Sequence, residues 1–139
     1  MAWAALILWL LTALGGFYLL TTWLRNGGMQ HADRPGRRIR PPLILGHFAL
    51  AATGLVLWIV FVASDSDALA WIAFVLLLVV ALLGFTMFAA WLAQRGGATA
   101  VETSDAAERN FPPAVVGLHG VLAATTLVLV FLATIGVGD

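Results

Sequence analysis

Four long apolar runs, none holding a charged residue, limit what this chain can become: Ala2 to Leu24, Leu43 to Ala63, Ala68 to Gln94 and Pro113 to Gly136. A bilayer core of about 30 Å is crossed by about 20 consecutive apolar residues in a helix, so each run is long enough to span one. The runs are unbroken, which excludes the short alternating segments of a membrane barrel. Composition agrees: 62% of the 139 residues are hydrophobic and 10% are charged, against about 25% charged in soluble domains, and the mean hydropathy is +1.00. The expected fold is all-α, one transmembrane domain over 1–139 with helices at about 2–24, 43–63, 68–94 and 113–136. The first run lacks a basic flank and a cleavage site of small residues and is longer than a typical leader core, so it reads as a retained helix. No cysteine is present, which removes disulfides, thiolate metal sites and iron–sulfur clusters. No nucleophile–base pair, phosphate loop or carboxylate pair lies within the spans, so a hydrolase is not expected. Nor is a nucleic-acid partner.

Charge placement gives an expected orientation. Arg25, Arg34, Arg37, Arg38 and Arg40 lie between the first and second spans, and Arg95 and Arg109 between the third and fourth. The other side has the N-terminus, Ser64-Asp65-Ser66-Asp67 and Asp139, with no arginine or lysine. By the positive-inside rule the arginine loops face the cytoplasm and both termini face out across an inner or plasma membrane. The first loop also suits anionic lipid headgroups, although orientation alone accounts for its arginines. His31, in that loop, reads as solvated.

The chain repeats itself. Ala2-Trp3 matches Ala70-Trp71, Ala13-Leu14 matches Ala81-Leu82, Gly16-Phe17 matches Gly84-Phe85, and Trp23-Leu24 matches Trp91-Leu92. Pro41 pairs with Pro113, His47 with His119, Leu50-Ala51-Ala52-Thr53 with Leu122-Ala123-Ala124-Thr125, and Leu55-Val56-Leu57 with Leu127-Val128-Leu129. Each unit, about 2–63 and 70–136, contains two spans, so both copies have one orientation. The expected architecture is a four-helix bundle of two parallel two-helix repeats, related by a pseudo-two-fold axis along the membrane normal.

An ionisable residue inside a membrane helix is costly and marks function by default. Here there are two, His47 and His119, and they are the repeated ones. They lie five residues past Pro42 and six past Pro113, on the order of 7–9 Å inside their helices. Both are expected on the cytoplasmic side of the midplane, at one depth and facing each other. Positions four and seven residues on share their faces: Ala51 and Gly54 for His47, Ala123 and Thr126 for His119. Gly46 and Gly120, with Gly117, flank the histidines. Small residues at such positions mark close helix packing; beside two facing imidazoles they would also leave a slot for a planar ring. Two histidines from facing helices with such a slot describe bis-imidazole ligation of haem iron.

With these residues in place, the sequence resembles the four-helix membrane b-type cytochromes of the cytochrome b561 and superoxide oxidase layout, in architecture and histidine placement across the whole chain. The resemblance implies an electron-transfer or haem-handling protein that exchanges electrons with a quinone or a redox partner protein. Those proteins typically hold two haems on four membrane histidines. With only His47 and His119, one haem b is the most this chain would ligate. No CxxCH is present, so covalent attachment is excluded. Arg38 and Arg40 stand where haem propionates would emerge, or serve topology alone. Tyr18 is a candidate donor to a histidine, a propionate or a quinone, with an interfacial aromatic as the plainer role. Met87 offers a conceivable His–Met site. Trp3, Trp23, Trp71 and Trp91 read as the interfacial belt, and Trp9 and Trp58 as packing. The alternative function is a non-catalytic four-helix subunit or assembly factor whose histidines only bond neighbouring helices. Zinc would need more ligands than two imidazoles. A proton-coupled transporter would interrupt its helices near the midplane, whereas these prolines sit at helix starts.

Overall fold

The computed structural model describes residues 1–30, 39–96 and 106–138. They form four helices, α1 (Ala2–Arg25), α2 (Pro41–Ser64), α3 (Asp67–Gly96) and α4 (Pro113–Thr134), with one 3₁₀ turn, Ala107–Asn110, before α4. No strand occurs among the described residues. All four helices are long and apolar enough to cross a membrane.

Local chemistry sets the helix ends. Pro41 and Pro42 occupy the first two positions of α2, where no amide hydrogen is needed and a fixed φ suits the first turn. Helix α2 therefore starts at Pro41 rather than at Leu43. Arg40 before it is extended, φ −87° and ψ 149°, as the residue preceding a proline must be. Helix α2 stops at Asp65, which turns left-handed (φ 51°) and returns its N–H to Phe61 O at 2.8 Å; Asp tolerates that conformation better than most side chains. Only Asp65 and Ser66 separate α2 from α3. Helix α4 ends at Thr134, short of the Gly136 expected, because Gly136 takes φ +79°. There the N-terminal ammonium donates to Gly138 O at 3.0 Å, so α1 begins where α4 ends.

The helices pack in the cyclic order α1, α2, α3, α4, with no close backbone approach between α1 and α3 or between α2 and α4 among the described residues. The most extensive contacts are α2 with α3 and α1 with α4. The tight pairs thus straddle the sequence repeats. The two-residue turn holds α2 against α3, whereas α1 and α4, joined by no loop, meet through side chains such as Thr12 with Thr126 and His119 with the Thr12 carbonyl.

Two apolar clusters fill the interior. Toward the termini, Trp9, Trp58 and Phe61 pack with Ala5, Ala73, Leu77 and Val130. Trp9 and Trp58 have ring centroids 6.4 Å apart, and the Trp58 indole N–H donates to Ala2 O at 3.3 Å. Toward the arginine-bearing end, Trp23, Ile39, Ile44, Trp91 and Ala107 form the second cluster. Because lipid is as apolar as leucine, such clusters stabilise through packing contacts more than through transfer from water. Trp3 and Trp71 are exposed, as belt residues are, but Trp23 (0% exposed) and Trp91 (6%) are interior. Both close a stripe that recurs every seven residues: Ala2, Trp9, Gly16, Trp23 on α1 and Ala70, Leu77, Gly84, Trp91 on α3. Gly28 folds the chain back over Trp23 so closely that a Cβ there would overlap the indole.

Candidate cofactor site

His47 and His119 sit between the two clusters. Each lies six residues past the first proline of its helix, Pro41 or Pro113, about 9 Å along the axis. Although α2 and α4 are diagonal and their backbones do not approach closely, the two imidazoles meet across the interior with ring centroids 6.4 Å apart and planes at 64°. Both residues are half-buried.

Each ring is anchored on the neighbouring helix. His47 Nδ1 lies 3.0 Å from Val80 O on α3, and His119 Nδ1 lies 3.0 Å from Thr12 O on α1. A carbonyl only accepts, so in both rings Nδ1 carries the hydrogen, and in the neutral imidazole Nε2 keeps the lone pair. The offset that matches Gly16 with Gly84 also matches Thr12 with Val80. The two anchors therefore stand at the same sequence offset as the two glycines.

A glycine opens each anchor. In an α-helix the carbonyl of residue i faces the N–H of residue i+4, and the side chain of a helical residue covers the turn N-terminal to it. Gly16 follows Thr12 by four, and Gly84 follows Val80 by four, so the missing side chains bare those carbonyls to an outside donor. A Cβ at Gly16 would lie 3.2 Å from His119 Cε1, and one at Gly84 3.3 Å from His47 Cε1. Gly15 is close as well, its would-be Cβ 3.4 Å from His119 Nδ1. These glycines and the two carbonyls belong to the histidine setting, although the histidine motif alone does not point to them. The signal was available, because Gly16 and Gly84 are themselves a repeat match.

The other expected site residues are spread more widely. Gly46 and Gly120 have open space where a Cβ would be, and Gly120 is exposed. Ala51 and Ala123 are half-buried. Gly54 is buried beneath the Trp9 indole, with a would-be Cβ 3.1 Å from Trp9 Cζ2, so its space holds packing from α1. Thr126 is buried with its Oγ1 3.1 Å from Thr12 Oγ1. Arg40 is exposed at the start of α2, while Arg38 and His31 lie outside the described residues. Tyr18 is exposed, and Met87 packs in the arginine-end cluster.

Chemically, the pair offers two nitrogen ligands. No group of three or more His, Cys, Asp or Glu side chains gathers among the described residues, so a bare metal ion would find too few ligands here. A metal that arrives with four equatorial donors of its own needs only two more. No protein-family model, curated protein or solved structure matches the chain.

Proposed function

We propose that this chain is a multi-pass membrane b-type cytochrome in which His47 Nε2 and His119 Nε2 are the axial ligands of a single haem b. The supporting observation is the separation of the rings. A metal–imidazole bond of about 2.0–2.1 Å, with roughly 1.1 Å from ring nitrogen to ring centre, puts two axial rings about 6.3 Å apart. The pair stands at 6.4 Å. The Nδ1–carbonyl bonds are the outer-shell partners that ligating histidines almost always have, fixing tautomer and orientation and raising basicity. When bound, haem supplies a reversible one-electron couple whose potential its ligands and burial tune. The chain's part is to hold the two rings and to keep water away with the clusters on either side. Electron transfer or haem handling, with a quinone or a redox partner protein, is the function we assign. The reading includes two parallel repeats related by a pseudo-two-fold axis, with arginine loops on the cytoplasmic side of an inner or plasma membrane.

A second reading rests on the same hydrogen bonds. Each joins two helices, as polar side chains do in membrane proteins, and a four-helix subunit or assembly factor would need nothing more. Against it, no hydrogen bond engages either Nε2. Each Nε2 is therefore left with its lone pair open to a ligand. The experiment is a spectrum of protein purified from haem-replete cells. A Soret band, lost in His47→Asn and in His119→Asn, supports haem ligation, because asparagine keeps a donor near the Nδ1 position but ligates poorly. A colourless wild-type protein would sink the cytochrome reading and favour the structural one.

A further inference from the structure

At the arginine-bearing end a buried hydrogen-bond donor has no partner. Trp91 is 6% exposed, and its Nε1–H meets no acceptor. The ring is held in place by its own helix: Phe88 stacks at 6.0 Å and 27°, and the Arg95 guanidinium carbon lies 4.9 Å from the ring centroid. Buried indole N–H groups normally find partners, so a fixed, unfilled donor marks a place where an acceptor is expected.

Position narrows which acceptor. Trp91 follows Gly84, against which the His47 ring rests, by seven residues on α3. That is two turns, about 10 Å, on one helix face. The direction is away from the termini, toward the arginine end. A span of this order separates the metal of a haem from its propionate carboxylates, the ionised groups of an otherwise apolar ring. A carboxylate only accepts, and charge-assisted bonds to it are the strong ones. Arg95 adds positive charge on the next turn.

We propose that Trp91 receives one propionate of the haem, its indole N–H donating to a carboxylate oxygen with the Arg95 guanidinium beside it. This rests on the bis-histidine reading and names the carboxylate anchor of the same site. The second propionate is left to the expected Arg40 and Arg38. The competing occupant is a water joining Trp91 Nε1–H to Gln94 Oε1, which is also buried and without a partner.

The test compares haem with haem dimethyl ester, which lacks the carboxylates, in ¹⁵N-labelled apoprotein reconstituted in detergent and reduced. The Trp91 indole N–H resonance should move further downfield with haem than with the ester, which keeps the ring current but loses the carboxylate charge. The preference for haem over the ester, read as a ratio of Kd values, should fall about tenfold in Trp91→Phe, with the Soret maximum unchanged. A resonance that responds equally to both ligands, or to neither, assigns the donor to water and overturns the proposal. So does an undiminished preference in Trp91→Phe. If that variant fails to fold, the wild-type resonance alone decides. A wild type with no Soret band with either ligand refutes the bis-histidine reading itself, and this inference falls with it.

Discussion

The two tight helix pairs, α2–α3 and α1–α4, hold their histidines alike and differ one or two turns away. In both, a half-buried imidazole donates to a backbone carbonyl that a glycine has laid bare, at the same 3.0 Å. Toward the termini several interior positions differ. Thr126, two turns past His119, meets Thr12 through their hydroxyls; the matching residues in the other pair are Gly54 and Val80. Trp9 lies over Gly54, whereas its repeat mate is Leu77 and the mate of Trp58 is Val130. The residues that hold the two rings, Gly16 with Gly84 and His47 with His119, match between the pairs. The repeat drifts where interior volume can be filled in more than one way.

The largest expected effect tests the equivalence itself. His47→Ala and His119→Ala should each abolish the Soret band of bis-histidine haem, to the same extent, despite their unlike surroundings. A variant that kept a six-coordinate spectrum would show that the remaining histidine shares the iron with some other residue, Met87 being one candidate. Next come the unlike regions. Gly54→Thr, which gives α2 the residue found at Thr126, places a Cβ where Trp9 Cζ2 would be 3.1 Å away. Overpacking of this kind costs about 1–3 kcal/mol, to be read from unfolding in detergent. Adding Trp9→Leu, the residue at the matching position of α3, should restore most of it. An additive double variant would mean that Trp9 and Gly54 are not one packing unit.

Smaller again are Gly16→Ala and Gly84→Ala. Each new methyl would press a histidine Cε1 from 3.2 or 3.3 Å, so the ring must yield by a few tenths of an ångström or leave its carbonyl. Haem affinity should drop about three- to tenfold, equivalent to roughly 1 kcal/mol, and similarly in the two variants. Equal losses support one shared anchor geometry. An effect confined to Gly16 would trace instead to the neighbouring Gly15, which has no counterpart in α3, where Leu83 stands.

These residues also show what the sequence could disclose. The spans were readable because each is an uninterrupted apolar run, and the histidine pair because ionisable residues are rare at that depth and these two recur at matching positions. Helix pairing was harder. The repeat draws attention to α1–α2 and α3–α4, while the two-residue turn at Asp65-Ser66 points to α2–α3; nothing so local marks α1–α4, which no loop connects. Trp23 and Trp91 read as belt residues because they stand near helix ends, a one-dimensional criterion; which side of the helix they occupy needs the seven-residue stripe that also holds Gly16 and Gly84. Gly54 looked like part of a slot because a glycine records that something large comes near without saying what. Here it is an indole from another helix.

The smallest effect belongs to the hydroxyl link that only one helix pair has. Thr12 Oγ1 is 2.8 Å from Leu8 O, and Thr126 Oγ1 is 2.8 Å from Leu122 O, while the two oxygens are 3.1 Å apart. Three contacts thus compete for two hydroxyl protons, so one threonine must turn from its own helix to reach the other. Removing either hydroxyl frees the other for its carbonyl, and valine conserves the shape. Thr12→Val or Thr126→Val should therefore cost about 0.6 kcal/mol, the average for interhelical hydrogen bonds in membranes. The double variant should cost little more than either single, because the second hydroxyl then has nothing across the interface to lose. A change in the Soret maximum in Thr12→Val would show the link to matter beyond packing, since the carbonyl of Thr12 anchors His119 and loosening that turn would alter one axial ligand and not the other.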